Sequence, residues 1–364
     1  MEYINTFLNL SAFTEAKPNL PYPSLSLIEN TNQVYYIKKK PLIKVTLNVS
    51  EEYSNKELPL GGFEFVEASS TVDEIINLIN QVVFPKELCE DVIIDGVSVG
   101  PINTYTFTAG KHTVEYAMKD ETKVVDLQFC YFGILGIESV EIPDSVTSIG
   151  YGAFGGCIGL TTITIPDSVT SIGDSAFGEC TGLTSITIPD SVTSIGSGAF
   201  VYCNGLTSIT IPDSVTSIGD RAFEGCPGLK TVDLTSYSKL TSIGDNAFSG
   251  CNGLTSITIP DSVTSIGVRA FEGCFGLKTV DLTSYSKLTS IENYAFNHCT
   301  GLTSITIPDS VTSIGDKAFY YCSILREVTY KGKIYTSKRE LLNDLEINNV
   351  ETGSYAFEYT GLGA

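Results

Sequence analysis

The sequence predicts a β-rich solenoid, in which short strands from successive repeats stack side by side around one shared core. Three observations predict this fold. An Ala-Phe-x-x-Cys segment recurs eight times, successive copies lie 23 or 25 residues apart, and each copy repeats one alternation of apolar and hydroxyl residues. A fixed period of this length is typical of units that bury their apolar side only against their neighbours. The recurring phenylalanines are Phe154, Phe177, Phe200, Phe223, Phe248, Phe271, Phe296 and Phe319.

The repeat that begins at Leu183 shows what each segment is expected to do. Leu183, Ile186 and Ile188 alternate with hydroxyl residues, so we expect them to face inward from a short strand. The proline that follows ends the strand because it has no N–H to donate to the ladder. Gly196 is expected to adopt a positive φ at the next bend, and Phe200 is expected to fill the core.

Two segments precede the repeats. Residues 1–36 contain three prolines within six residues and predict an extended N-terminal arm, which is either a docking arm or a disordered leader. Residues 37–122 predict a small, separate β-rich module, either α+β or a β-sandwich. Its predicted elements, in chain order, are a strand over 42–49, a helix over 71–79, a hairpin that turns at Asp95 and Gly96, and a second hairpin that joins 104–108 to 112–118.

The solenoid itself is predicted to span residues 123–331, with atypical units at both ends. Tyr131 and Ile134 occupy the phenylalanine and cysteine slots of the first rung, as expected of a unit whose outer face meets water or another domain. Residues 332–364 are predicted to close the far end. A hairpin is expected to lead into this segment, a capping box at Ser337 should begin a short helix, and Phe357 falls in a last phenylalanine slot.

The acidic composition argues against several classes of protein. The chain has 42 acidic and 22 basic residues and a formal charge of −20, so its surface repels nucleic acid and we predict no nucleic-acid partner. No apolar run approaches the length of a membrane span, so none is predicted. Residues 1–8 lack the basic start and apolar run of a secretory signal. Retention in the cytoplasm, another route of export or a lost signal are the alternatives.

The cysteines are expected to be packing residues. A disulfide framework would join different slots of the repeat, whereas eight of the ten cysteines occupy one and the same slot. Free cysteine behaves as a small, readily buried hydrophobe. We therefore predict free thiols lining the solenoid interior at Cys157, Cys180, Cys203, Cys226, Cys251, Cys274, Cys299 and Cys322.

The outward-facing Ser and Thr columns on the concave side are the predicted binding surface, because such a face is where solenoids bind their partners. A simpler interpretation is that Ser and Thr are neutral strand surface. Two 25-residue repeats break the uniformity, since Lys230–Lys239 and Lys278–Lys287 replace the Pro-Asp-Ser turn and add Tyr, Lys and Asp. The residues predicted to contact a ligand are Thr187, Thr210, Asp233, Tyr237, Thr258, Asp281, Tyr285 and Thr306.

The remaining polar residues predict no chemistry. A column of aspartates, of which Asp190 is one, follows the prolines and could hold cations, but capping of the turns is enough to explain it. The two histidines, His112 and His298, are interpreted as surface residues, because adjacency of His298 to a cysteine does not make a nucleophile. We predict no catalytic residue, no cofactor and no metal.

The repeat Leu-x-x-Ile-x-Ile-Pro-x-x-Val-x-x-Ile-Gly-x-x-Ala-Phe-x-x-Cys resembles the BspA-type leucine-rich repeat, over about 190 residues. The resemblance implies a curved, right-handed solenoid with the Leu-x-x-Ile-x-Ile strands on its concave side. It also implies a cell-surface adhesin that binds host matrix proteins or partner bacteria, and it brings no catalytic residues. The chain departs from the adhesin pattern in lacking an export signal and a sorting domain.

Short stretches that flank the repeats are similar to virion proteins of phages that infect gut Bacteroidetes. They begin at Pro21, Lys111 and Tyr330. The favoured hypothesis is a non-enzymatic virion component, in a tail, fibre or capsid decoration. Its arm would contact other virion proteins, and its solenoid would bind protein or glycan on a cell surface.

Two alternatives stay open. The chain can instead be a BspA-like adhesin, secreted or at the bacterial cell surface, that binds host matrix proteins or other bacteria. A weaker hypothesis is an enzyme whose site lies within residues 41–120. A homo-oligomer is also compatible with the sequence.

Overall fold

The structure is a computed structural model, and twelve segments of the chain are described. The predicted helix over 71–79, Tyr131 and Ile134 lie outside them, as do the prolines of the arm. The described segments are 25–28, 33–36, 42–49, 57–59, 89–100, 104–106, 108–118, 126–127, 136–144, 146–234, 239–282 and 287–363.

The N-terminal third consists of short antiparallel strands in its described parts. Within the predicted arm, the first two strands pair with each other. In the predicted module, the hairpin turn is confirmed, since Asp95 and Gly96 have φ of 49° and 80°. The strands are β1 Leu25–Ile28, β2 Gln33–Tyr36, β3 Leu42–Val49, β4 Glu57–Pro59, β5 Cys89–Ile94, β6 Val97–Ser98, β7 Thr104–Thr106 and β8 Gly110–Met118.

The second predicted hairpin is wrong. Strand β8 pairs with β3 along one edge, from Leu42 to Val49, and with β5 along its other edge. Both edges of β8 are therefore occupied, and β7 pairs antiparallel with β4 in a separate two-stranded sheet. The nine residues of β8 are long enough to serve two partners, which a pattern of local alternation does not reveal.

From residue 126 onward the strands form two parallel ladders, and each rung contributes one short strand to each ladder. We call the ladder of even-numbered strands from β10 to β26 the first sheet, and its exposed side the predicted concave face. The strands are β9 Asp126–Leu127, β10 Ile137–Glu141, β11 Ser148–Ile149, β12 Thr162–Thr164, β13 Ser171–Ile172, β14 Ser185–Thr187, β15 Ser194–Ile195, β16 Ser208–Ile211, β17 Ser217–Ile218, β18 Thr231–Leu234, β19 Ser242–Ile243, β20 Ser256–Thr258, β21 Ser265–Ile266, β22 Thr279–Asp281, β23 Ser290–Ile291, β24 Ser304–Ile307, β25 Ser313–Ile314, β26 Glu327–Tyr330, β27 Lys333–Tyr335 and β28 Glu351–Thr352.

The sequence predicted a module separate from the solenoid. In the structure, one sheet runs through both. Strand β10 of the first rung pairs antiparallel with β3. The amide of Asn48 donates to the carbonyl of Gly136 at 3.0 Å, and the Lys111 ammonium lies 2.7 Å from the Glu138 carboxylate. The module thus supplies strands that continue the first sheet and cover the edge of its first rung.

The core is a column of stacked phenylalanine rings. Centroids of successive rings lie 5.2–5.4 Å apart, with interplanar angles of 3–16°. The column ends with Phe357, whose ring lies 5.1 Å from that of Phe319, so the predicted last slot is confirmed. The three inward positions predicted at Leu183, Ile186 and Ile188 are likewise buried.

The cysteines form a second buried column, and the prediction of free, buried thiols is confirmed. From Cys180 to Cys322, each thiol also donates a hydrogen bond. The Sγ of Cys180 donates to the carbonyl of Phe154 in the preceding rung at 3.0 Å, and the pattern repeats at 3.0–3.2 Å up to Cys322. A small side chain with a weak donor fits this slot, since it satisfies a buried carbonyl without adding bulk.

The expected positive φ at Gly196 is wrong. The left-handed residues of this rung are Gly198 and Tyr202, with φ of 60° and 56°. Gly196 is required for another reason, since a Cβ there would lie 2.6 Å from the amide nitrogen of Asp174 in the preceding rung. The Asp174 carboxylate in turn accepts a hydrogen bond from the amide of Ser197 at 2.7 Å, so both contacts join neighbouring rungs.

Replacing Gly196 by alanine is therefore expected to cost about 1–3 kcal/mol of stability, because the rungs must separate to admit the Cβ. Glu292 occupies the equivalent slot in a later rung. There the hydrogen bond to the preceding rung is 3.2 Å long, against 2.8 Å at Gly196. Denaturant unfolding would measure the cost, and Ser197→Ala, one residue further on and exposed, is the control. Equal stability of the two variants would contradict the close-contact explanation.

The C-terminal end closes as predicted. Lys331 and Gly332, at φ of 48° and 72°, turn β26 into β27. Helix α1, Lys338–Ile347, begins after Ser337, whose side chain accepts a hydrogen bond from the Glu340 amide at 3.4 Å. The helix buries Leu341 and Leu345 against the last rung, so the open end of the core is covered.

Candidate binding surface

The described members of the predicted binding set share one exposed column of the first sheet. Each has a buried residue directly before and directly after it in the chain, in the alternating pattern of a half-buried strand. Tyr237 and Tyr285 lie outside the described residues, so their predicted role remains a prediction. The exposed members are Thr187, Thr210, Asp233, Thr258, Asp281 and Thr306.

The strand register brings two hydroxyl–carboxylate pairs together. Thr210 lies opposite Asp233, and Thr258 lies opposite Asp281, in parallel neighbouring strands. Such neighbours are about 5 Å apart, so a ligand could contact both members of a pair. The ladder of the first sheet stops at β18 and resumes at β20, directly after the first 25-residue rung. Asp233 thus lies at the interruption of the ladder, whereas Asp281 lies in β22, which pairs with a strand on each side.

A groove of about 590 Å³ lies beside this column, at the edge where the strands end in their turns. Its polar lining includes Thr187, Thr210, Asp190, Asp213 and Lys239. Its apolar lining comes from Ile186, Ile188 and Pro212. Hydroxyls, two acids and one base above an apolar floor can orient a polar ligand by several hydrogen bonds at once.

The groove depends on the longer repeat. The backbone amide of Lys239 donates to the carbonyl of Asp213 at 3.1 Å, so the returning chain of the 25-residue rung lies across the turn of the rung before it. The second long rung repeats this contact between Lys287 and Asp261, also at 3.1 Å. The lysines of the long repeats were identified from the sequence, but their contact with the aspartate column was not predicted. The 25-residue spacing of these two repeats was the signal that could have indicated it.

The other polar candidates occupy structural positions. His112 lies 2.7 Å from the Asp95 carboxylate and thereby fastens β8 to the β5–β6 hairpin. His298 stacks on the ring of Tyr321, with centroids 4.8 Å apart. Within the described segments, we find no group of three His, Cys, Asp or Glu side chains arranged to hold a metal ion. Nor do these segments contain a helix with the length and hydropathy of a bilayer span.

Two parallel ladders, one rung per 23 or 25 residues and a buried Leu, Ile, Phe and Cys set in each rung define a leucine-rich-repeat solenoid. Six copies of the family profile described as "BspA type Leucine rich repeat region" match residues 127–254 and 241–362. The matches cover more than half of the chain, and the chain therefore belongs to the BspA-type leucine-rich repeat family. No curated protein matches the chain.

Solved structures of bacterial leucine-rich repeat proteins are similar to the chain. A leucine-rich repeat protein from Bacteroides ovatus is 31% identical with a TM-score of 0.56, and the match covers 70% of this chain and 59% of that one. The chain thus spans less than two thirds of that protein. A leucine rich cell surface protein from Faecalibacterium prausnitzii is 28% identical (TM-score 0.24, 60% and 84% covered). The pneumococcal vaccine antigen PcpA is 24% identical (TM-score 0.38, 53% and 57% covered).

Proposed function

We propose that the chain is a non-catalytic binding scaffold that holds a protein or a glycan on the predicted concave face. The observation that carries this proposal is the exposed column of Thr and Asp beside the groove at Lys239. The described rungs repeat a closely packed, largely apolar interior, so ligand contacts are made from the outward positions. Membership in a repeat family, whose folds present extended surfaces to partners, supports a binding role.

We further propose that this scaffold acts at a bacterial cell surface. The adhesin role implied by the BspA-type resemblance supports this location. The net charge of −20 suits a long array that must stay soluble outside the cell, and it disfavours nucleic acid as the ligand.

The virion hypothesis rests on the short flanking resemblances. Peptides of this chain recovered by mass spectrometry from purified virions would replace the cell surface by the virion as its location, without altering the binding face. The proposal of surface display predicts their absence from virions and their presence on intact cells.

The binding role is tested by placing a bulky charge in the exposed column. Thr210→Arg should weaken binding to an immobilised panel of extracellular-matrix proteins and bacterial surface glycans by about tenfold or more, because Thr210 lines the groove. Surface plasmon resonance would measure the change. Ser197→Arg is the matched control, since Ser197 is exposed on the turn that follows the second ladder. Equal binding by the two variants, or no binding by the wild type, would contradict the proposal.

A further inference from the structure

A cluster of exposed and half-buried aromatic side chains, with one lysine among them, lies in the loops of the last three rungs, outside the strands of the first sheet. We call it the aromatic edge. Most members directly precede the Ala or the Cys of the repeat motif. In the last rung Thr360 takes the place of the cysteine, and Tyr320 lies one residue before the position that precedes Cys322. The members are Tyr294, His298, Lys317, Tyr320, Tyr321, Tyr355 and Tyr359.

The rings of the aromatic edge form an ordered stack. His298, Tyr321 and Tyr359 stack in a row, with centroids 4.8 and 4.6 Å apart and interplanar angles of 10° and 13°. Tyr320 stands nearly perpendicular to Tyr321 and Tyr359, at 4.7 and 5.2 Å. Each of these four rings thus contacts at least one other, which favours the arrangement before any ligand arrives.

A cation sits among these rings. The Lys317 ammonium lies 5.4 Å from the ring centroid of Tyr294, 5.2 Å from that of Tyr320 and 6.0 Å from that of Tyr355. Such distances are within the range of cation–π attraction. The aromatic edge therefore combines ring faces, phenol hydroxyls and an ammonium within three rungs.

The backbone conformation at these aromatic residues lowers the stability of the fold. His298, Tyr321, Tyr355 and Tyr359 have φ of 58°, 57°, 59° and 53°. Bulky residues disfavour this left-handed region, by about 1–2 kcal/mol each. Both positions are left-handed in the six earlier rungs as well, where glycine fills six of the twelve and Tyr202 is the one aromatic residue; the glycines are Gly152, Gly198, Gly156, Gly225, Gly250 and Gly273.

Burial in the core does not offset this cost, because Tyr355 is 62% exposed and Tyr359 is 58% exposed. Stacking recovers only about 0.5–1.5 kcal/mol per ring pair. Strained positions that carry large exposed rings concentrate at ligand-binding sites.

The outer faces of the rings in the last rung are available to a ligand. Tyr321 covers one face of Tyr359, and Lys317 approaches one side of Tyr355. The C–H groups of a pyranose ring carry partial positive charge and pack onto the electron-rich face of a tyrosine. The phenol hydroxyls, the Lys317 ammonium and the Glu358 carboxylate, which holds Lys338 at 2.8 Å, can bond sugar hydroxyls.

Size and charge favour a saccharide over a protein. The aromatic edge spans two rung steps, or about 10 Å, which matches two or three sugar rings. A stable protein interface buries about 800 Å² on each partner, which is a larger surface than a row of rings of this length presents. Residues 293–363 contain eight acidic and six basic residues, so the end of the chain is close to neutral although the whole chain is strongly acidic. An uncharged ligand is insensitive to the acidic remainder of the chain.

We propose that the aromatic edge is a second binding site, for a short uncharged oligosaccharide that stacks on Tyr355 and Tyr359. This site is independent of the groove at Lys239 and of its ligand.

Isothermal titration with linear hexasaccharides of β-1,4-linked glucose, mannose, xylose and N-acetylglucosamine tests the proposal on the full chain. We expect saturable binding of at least one of them, weakened about tenfold or more by Tyr355→Ala combined with Tyr359→Ala. Tyr202→Ala is the matched control, since Tyr202 is also exposed and left-handed (φ 56°) but lies outside the aromatic edge. It should leave the affinity unchanged.

Other outcomes overturn the proposal. Failure of the wild type to bind any of the four hexasaccharides does so, and so does binding that survives in the double variant. A double variant with a lowered melting temperature but unaltered affinity would make the rings a structural cap only. Loss of a wild-type dimer in the double variant, without sugar binding, would make the edge a contact between copies. Thr210→Arg should not affect sugar binding here, so failure at the groove and failure at the aromatic edge are distinguishable.

Discussion

Replacing Phe223 by alanine is expected to lower the free energy of unfolding by about 3–5 kcal/mol. The ring of Phe223 is fully buried and lies 5.2 Å from the rings of Phe200 and Phe248, one on each side. Its removal opens a cavity that the flanking rungs cannot fill, because their backbones are held apart by the ladder hydrogen bonds. The cost therefore includes both the lost burial and the residual cavity.

The same substitution at Phe357 should cost clearly less. Phe357 is also buried, but a ring of the column contacts it only on the side of Phe319, at 5.1 Å. Denaturant unfolding followed by circular dichroism would compare the two variants, with the exposed Tyr202→Ala as a control for loss of an aromatic ring. Equal costs at Phe223 and Phe357 would contradict a stability that depends on stacking between rungs.

Features that repeat within a rung could be predicted from the sequence. The period fixed the buried positions of Leu183, Phe200 and Cys203, because one residue pattern had to serve every rung and only one face can be buried. The capping box at Ser337 could likewise be predicted from the sequence, since its hydrogen bond joins residues three apart. Local signals were enough in both cases.

Features that depend on a neighbouring rung or strand could not be predicted in this way. The requirement for glycine at Gly196 comes from Asp174 in the rung before it. The partner of β7 is β4, which lies 45 residues or more away in sequence. The join between β3 and β10 depends on the geometry of the first rung. Each is a contact between segments whose own patterns are complete without it.

The candidate site likewise has a part that could be predicted from local patterns and a part that depends on contacts between rungs. Thr210 and Asp233 were predicted because exposed strand positions alternate with buried ones. The groove at Lys239 needed the register of the longer rung against Asp213. The aromatic edge was missed because His298 was considered alone. Comparison of the residue before each cysteine would have shown glycine in four of the six earlier rungs, and His298 and Tyr321 before the last two cysteines.

Alkaline pH is expected to destabilise the protein steeply. Burial raises the pKa of the thiols of Cys226, Cys274 and Cys322 to about 12. Burial also raises the pKa of Cys203, Cys251 and Cys299 well above the ordinary value, with repulsion from neighbouring thiolates as a smaller cause. An unfolded chain exposes these thiols to water, where their pKa returns to about 8.5.

The direction of the effect follows from where the protons are held. Above pH of about 8.5 the unfolded chain releases thiol protons that the native core retains, so the unfolded state gains stability as the pH rises. Each buried thiol then removes about 1.4 kcal/mol of stability per pH unit, until its native pKa is reached. The contribution is complete below pH of about 8.5 and is lost between there and pH of about 12.

Unfolding by denaturant at several values between pH 8 and 10, with a reductant present, would measure this slope. Cys226→Ala removes one titrating thiol, so its slope should be shallower than that of the wild type by about 1 kcal/mol per pH unit averaged over this range, whatever its absolute stability. Tyrosine and lysine titrate in the same range but are common to both proteins, and the difference between the slopes isolates the thiol. Identical slopes would mean that the Cys226 thiolate is as well solvated in the native state as in the unfolded chain. The buried column of thiols, and with it the shared interior, would then be wrong.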